Sequence, residues 1–202
     1  MPIIKPTSPF QVADVSRRFV IYGFISLVLA LLVVVGAPIR AAEPGLRQVT
    51  YTTDDAGSTR LPAADRVVVY KSARRLELLR GAEVLRSYKV ALGLQPNGHK
   101  ERAGDFRTPE GSYRLIRRNS RSDFFLSIQI SYPGPDDLKR ARANGWEPGG
   151  AIMIHGLPNT LKREPTYYES RDWTDGCIAV SNSDMVEIWL LTQNNIPIDI
   201  LP

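Results

Sequence analysis

Arg171-Asp172-Trp173-Thr174-Asp175-Gly176-Cys177-Ile178-Ala179-Val180-Ser181-Asn182 is the stretch from which the fold is read. A glycine stands before the only cysteine in 202 residues, and a β-prone apolar run, Ile178 to Val180, follows it. Such a run, bounded by turn residues, reads as a buried strand. Ser181 and Asp184 then have the hydroxyl-and-acid spacing of a helix N-terminus, with Asn182 or Ser183 as alternative caps. Met185, Ile188, Trp189 and Thr192 make the stripe of a core-packed helix, which Asn194-Asn195 and Pro197 end. Upstream, Ile152-Met153-Ile154-His155-Gly156 runs a hydrophobic strand into a histidine, 22 positions before the cysteine. A thiol and an imidazole at the edges of two buried strands can meet as nucleophile and base.

The rest of the C-terminal two-thirds is patterned as strands. Val67 to Tyr70 is β-branched and aromatic. Arg75 to Arg80 partly alternates, Gly81-Ala82 turns, and Val84 to Leu92 returns, which reads as a meander with one buried face. Ser112 to Ile116 is a further strand. Phe124 to Tyr132 alternates most clearly, with Leu126, Ile128 and Ile130 on one face. Asp136 to Ala143 is a short helix ended by Asn144-Gly145. Ile198 to Leu201 closes the domain. Two polar connections interrupt the pattern, at 93–111 and 157–172. The first is long for a compact domain and carries turn chemistry at Pro96-Asn97-Gly98 and Thr108-Pro109-Glu110-Gly111. His99 in it reads as a surface histidine.

The N-terminal part differs. Phe19 to Ala37 is 19 residues without a charge, preceded by Arg17-Arg18. That length of apolar chain can span a bilayer, and the arginines favour a cytoplasmic side for residues 1–18. The segment reads as either a signal-peptide core or an uncleaved transmembrane anchor. Residues 38–65 read as a linker and 66–201 as the folded domain. The expectation is a periplasmic domain, secreted or held at the inner membrane by the helix at 19–37. The net charge of +5 sits largely at this end: residues 1–42 contribute +3, and the remainder has 22 basic against 20 acidic side chains. No Lys/Arg run exceeds two residues, which excludes a nucleic-acid partner.

An exported chain uses cysteines in pairs, so an unpaired one before β-prone sequence points to chemistry. The imidazole of His155 is expected to draw off the thiol proton. Gly176 permits a sharp turn and close substrate approach, because it lacks Cβ. The amides of Gly176 and Cys177, with Asp175, are the expected donors to an acyl oxyanion. The ring of His155 needs an acceptor to orient it. The Gly156 carbonyl is adjacent, and Asp172 and Asp175 are alternatives. Trp173, Tyr132, Arg107 and Thr108 are candidate substrate contacts. One cysteine and two histidines without CxxC or HExxH spacing imply no metal, and no cofactor is expected.

These residues resemble the L,D-transpeptidases, the YkuD-type catalytic domain. The resemblance rests on His155-Gly156 followed by Thr174-Asp175-Gly176-Cys177-Ile178-Ala179-Val180-Ser181-Asn182. The loop Gly98-His99-Lys100 with Gly104-Asp105-Phe106-Arg107-Thr108-Pro109-Glu110-Gly111 adds to it. Asp-Trp-Thr-x-Gly-Cys-Ile-Ala-Val resembles a YafK-like sub-branch. The resemblance implies a mainly β sandwich or open barrel with one or two short helices. It implies that Cys177 attacks an L,D-peptide bond of a peptidoglycan stem peptide and forms a thioester. His155 is then the base and the Gly156 carbonyl its orienter. An amine acceptor gives wall crosslinking or attachment of a wall-linked lipoprotein, and water gives hydrolysis. A non-catalytic peptidoglycan-binding module is the reading from another class. The chain departs from the family at two places, with Asp175 for a histidine and Ala179 for an arginine.

Overall fold

Two short strands, β1 (Thr52–Thr53) and β2 (Thr59–Arg60), pair antiparallel as a ladder of their own. The computed structural model describes residues 52–53, 59–60 and 62–202. The main sheet follows. Its strands are β3 (Arg66–Tyr70), β4 (Arg75–Arg80), β5 (Glu83–Lys89), β6 (Gly111–Ser122), β7 (Phe125–Ile130), β8 (Met153–His155), β9 (Ile178–Ala179) and β10 (Pro197–Leu201). The helices are α1 (Pro135–Ala143), α2 (Pro165–Ser170) and α3 (Asn182–Leu191). Spatial order in the sheet is β5-β4-β3-β10-β6-β7-β8-β9. β10 lies parallel to β3, β9 parallel to β8, and the other neighbours are antiparallel.

The two ends of this order meet. The chain leaving β5 places Ala91 against Ala179, and the two residues exchange backbone hydrogen bonds of 2.8 Å in both directions. Thr174 joins the same seam beside Gly93, where Leu94 N–H donates to the Thr174 carbonyl at 3.0 Å. The sheet therefore curls on itself around a core of β-branched and aliphatic residues, as the period-2 pattern requires. Val67, Leu76, Leu78, Leu115, Ile128, Ile154, Ile178 and Ile198 are fully buried in it. Each contributes roughly 1.5–3 kcal/mol of apolar burial. Met185 and Ile188 of α3, both at 0 % exposure, join them from the side packed on β7. Ser181 caps α3 by accepting the Asp184 N–H at 3.1 Å, as its spacing predicts. Ala64 is also buried, and its N–H donates to the Leu191 carbonyl at 2.7 Å, so the folded part starts slightly before residue 66.

The mainly β expectation holds, with corrections. There are three short helices among the described residues instead of one or two; α2 lies inside the connection at 157–172. β6 runs to Ser122, well past Ile116, because Arg117 to Arg121 continue it as a polar extension paired with β7. His99 is not a free surface group. Its Nδ1 accepts the Glu110 N–H at 3.0 Å, and its Nε2 lies 3.0 Å from Asp137 at the start of α1. The expected N-terminal signal or anchor helix is corrected as well. No helix among the described residues is long and apolar enough to cross a membrane, and residues 19–37 lie outside the described residues. The membrane contact, the inner-membrane attachment and the periplasmic placement drawn from that helix are withdrawn with it.

Candidate active site

The site lies on the outer face of the β6-β7-β8-β9 half of the sheet. Register decides this. Ile128, Ile154 and Ile178 are aligned across β7, β8 and β9, and all three point into the core. The next row is Asn119, Ser127, His155 and Ala179, so its side chains share the opposite face. Cys177 falls one residue before Ile178, level with Met153 in the same register. Cysteine and histidine are thus diagonal neighbours across adjacent strands, a placement that lets side chains meet. Both line one cavity of about 380 Å³, together with Met153, Trp173, Asp175 and Phe124. Asn119, Arg121, Ser122 and Asp123, at the β6–β7 corner, form its other wall.

The imidazole is fixed. His155 is 4 % exposed, and its Nδ1 lies 2.6 Å from the Gly156 carbonyl. A carbonyl only accepts, so Nδ1 carries the proton and Nε2 keeps its lone pair. Phe124 packs on the ring at 4.6 Å and Trp173 meets it edge-on at 5.6 Å, centroid to centroid. Gly156 is required beside it: an added Cβ would stand 2.5 Å from Asn182 Oδ1. That oxygen accepts the Leu157 N–H at 2.8 Å, so it is not free to retreat.

The cysteine loop is equally constrained. Gly176 has φ +130°, in the region L side chains avoid, and a Cβ there would lie 2.6 Å from the Arg107 carbonyl. Thr174 Oγ1 donates to the Cys177 carbonyl at 2.8 Å and accepts the Gly176 N–H at 3.1 Å. The Gly176 amide is therefore already engaged. Cys177 is half-buried, with its sulfur 3.8 Å from the Ala151 carbonyl.

Burial pushes the Cys177 thiol up, and the Asp175 carboxylate adds to this; the Met153 amide and Lys100 oppose it. Burial also pulls His155 down to about 4, against the opposing hydrogen bond to Gly156. Both groups are thus driven toward their neutral forms.

The other expected residues separate cleanly. Trp173 and Asp175 line the cavity. Tyr132 does not: it is buried at 3 %, and its hydroxyl donates to the Pro148 carbonyl at 2.9 Å. Thr108 is fully buried behind the seam, where its Oγ1 accepts the Gly93 N–H at 3.0 Å. Arg107 points its guanidinium to the His99 carbonyl and Glu101, while its own carbonyl backs Gly176. The 93–111 loop thus supports the cysteine loop from behind. Asp172 is not available to orient His155, since it pairs with Arg74 at 2.7 Å and accepts the Leu92 N–H at 2.9 Å. Phe124, Met153 and Arg121 were missed in the sequence. Phe124 opens the stretch that alternates most clearly, but its position over the ring depends on register. No group of three or more potential metal ligands occurs among the described residues.

Sequence comparison finds YafK of Escherichia coli (strain K12), which carries an L,D-transpeptidase name. It is 30 % identical over 129 residues, covering 61 % of this chain and 45 % of that protein. The chain thus spans about half the length of this relative. Among solved structures, the helical cell shape determining protein Pgp2 from Campylobacter jejuni has a similar fold. Its TM-score is 0.54 at 22 % identity, covering 77 % of this chain and 51 % of that one. The family profile of the YkuD L,D-transpeptidase catalytic domain matches residues 64–200, nearly all of the curled sheet with its cysteine and histidine, and the chain belongs to that family.

Proposed function

We propose that this domain, residues 66–201, is a cysteine acyltransferase that works on peptidoglycan stem peptides through a thioester on Cys177. One observation carries the reading: His155 Nδ1 is tied to the Gly156 carbonyl at 2.6 Å, which leaves Nε2 unprotonated in the cavity that Cys177 also lines. In the first step the sulfur attacks the amide carbon of the L,D-bond and its proton passes to Nε2. The amides of Cys177 and Asp175 are the proposed donors to the oxyanion, with Gly176 shaping the turn. The intermediate collapses, Nε2 returns its proton to the departing amine, and the thioester remains. An amine of a second stem peptide then attacks the thioester carbonyl and gives a proton to Nε2. The new amide forms as the C–S bond breaks, and the thiol is restored. Trp173 and Phe124 cover the imidazole and limit water at the moment of attack.

The neutral resting pair supports transfer coupled to attack, as in hydroxyl nucleophiles, over a standing thiolate. Wall crosslinking or attachment of a wall-linked lipoprotein follows from an amine acceptor. The test is incubation of the purified chain with tetrapeptide muropeptides, read by mass spectrometry. Crosslinked dimers that vanish in Cys177→Ala are expected. Released tripeptide without dimers assigns the same thioester to hydrolysis. No product, with no carbapenem adduct on Cys177, leaves a non-catalytic wall-binding module and refutes the reading.

A further inference from the structure

A second cavity of about 290 Å³ adjoins the first, lined by Arg117, Arg118, Asn119, Ser127, Gln129 and Met153. Asn119 and Met153 belong to both, so the two are neighbours across one side chain's width. Register explains the contiguity. Arg117 stands opposite Gln129, and Gln129 opposite Met153, in the row that ends level with Cys177. Ser127 stands opposite His155.

Ser127 is 1 % exposed, and its hydroxyl has no hydrogen-bond partner in the structure. A buried hydroxyl left unpaired is costly, and a ligand that pairs with it removes that cost. The cavity walls say what kind of ligand. They hold two guanidinium groups and no carboxylate. Arg118 is spent on α3, donating to the Trp189 and Thr192 carbonyls at 2.8 and 2.6 Å. Arg117 is exposed and makes no ion pair among the described residues. A charged donor, a buried hydroxyl and the Gln129 amide together fit a carboxylate.

We propose that this second cavity is a subsite for a carboxylate of the peptide acyl donor, held by Arg117, Ser127 and Gln129. The proposal rests on the acyl-transfer reading of the Cys177 cavity. Adjacent strands lie ~4.8 Å apart, so Ser127 on β7 is ~10 Å from the cysteine strand and Arg117 on β6 is ~14 Å away. An extended peptide covers ~3.5 Å per residue, so the recognised carboxylate stands away from the bond attacked but within reach of a short stem peptide. The subsite therefore reads the stem peptide at a distance from the scissile bond and fixes which amide reaches the sulfur.

The test measures binding by calorimetry, on the full chain carrying Cys177→Ala so that no chemistry intervenes. The probes are a synthetic tetrapeptide stem and the same peptide with each carboxylate converted in turn to a carboxamide. One carboxamide should bind about tenfold more weakly than the free acid. Adding Arg117→Gln, an exposed position that tolerates change, should weaken the free acid about tenfold and abolish the distinction. Ser127→Ala should do the same to a smaller degree. Equal affinity for acid and carboxamides in the parent overturns the proposal. So does Arg117→Gln binding the free acid as tightly as the parent, or no binding of any peptide. A chain that discriminates the carboxylate yet yields no product with its cysteine restored keeps the subsite and refutes acyl transfer.

Discussion

Acidification from pH 7 to 4.5 should remove about 2 kcal/mol of folding stability through one side chain, His155. Its ordinary value of 6.5 falls to about 4 in the folded chain, because burial disfavours the imidazolium. The unfolded chain then binds more protons than the folded one between those two values, so stability rises with pH across that window. The contribution is complete above the unfolded value and is lost as pH falls toward the folded one. Its limit, set by the gap between 6.5 and about 4, is roughly 3 kcal/mol, of which about 2 falls between pH 7 and 4.5. Other perturbed acids act lower. At Asp105 burial pushes upward but is outweighed by Lys100 and the amides of Glu101, Arg102 and Arg107, so it titrates near 2 and weakens the fold only below 3.8. The assay is equilibrium urea unfolding at pH 7.0 and 4.5 for the native chain and His155→Gln. The native chain should lose about 2 kcal/mol more than the variant. Equal losses would refute the claim that the ring is buried neutral.

Three further outcomes follow from the site's geometry. His155→Ala should leave a folded protein whose turnover falls by about 10²–10⁴, measured as crosslinked product per unit time, since that is the usual worth of a general base. Gly176→Ala should destabilise the chain by about 2 kcal/mol or more in urea unfolding, because the new Cβ meets the Arg107 carbonyl at 2.6 Å and φ is +130°. An unchanged midpoint would contradict the loop geometry. Thr174→Val should retain volume but lose the bonds to the Cys177 carbonyl and the Gly176 amide. Slower alkylation of Cys177 by iodoacetamide, or a fall of about 1–3 kcal/mol in stability, is expected; neither change would mean that Thr174 does not hold the loop.

Local pattern carried much of the architecture. The Leu126–Ile128–Ile130 alternation, the Ser181 cap and the strand ending in His155 were all legible, because each depends on residues a few positions apart. The cavity walls were not. Phe124 and Ser127 join the site only through the pairing of β7 with β8, and nothing within 124–127 encodes that register. Tyr132 looked like a cleft aromatic, yet its hydroxyl finds the Pro148 carbonyl in the interior. Arg107 and Thr108 sit in a polar loop that suggested substrate contact. Their polar atoms serve instead to fasten that loop under the cysteine turn. Polar composition alone does not distinguish a loop that meets ligand from one that braces its neighbour. The burial that pushes the Cys177 thiol up was not legible either, because burial is a property of the assembled sheet.

The bonds between Ala91 and Ala179 bear on how this protein behaves in company with copies of itself. A sheet border with unused amides is a template for another chain. β9 has two residues, and its outward amide and carbonyl at Ala179 are spent on Ala91. The opposite border, β5, carries Glu83, Arg86 and Lys89, charges that discourage stacking. Loosening the seam would bare Ile178 next to the Cys177 sulfur, so the closure that holds the cysteine loop also guards against fibrous self-pairing and mixed disulfides.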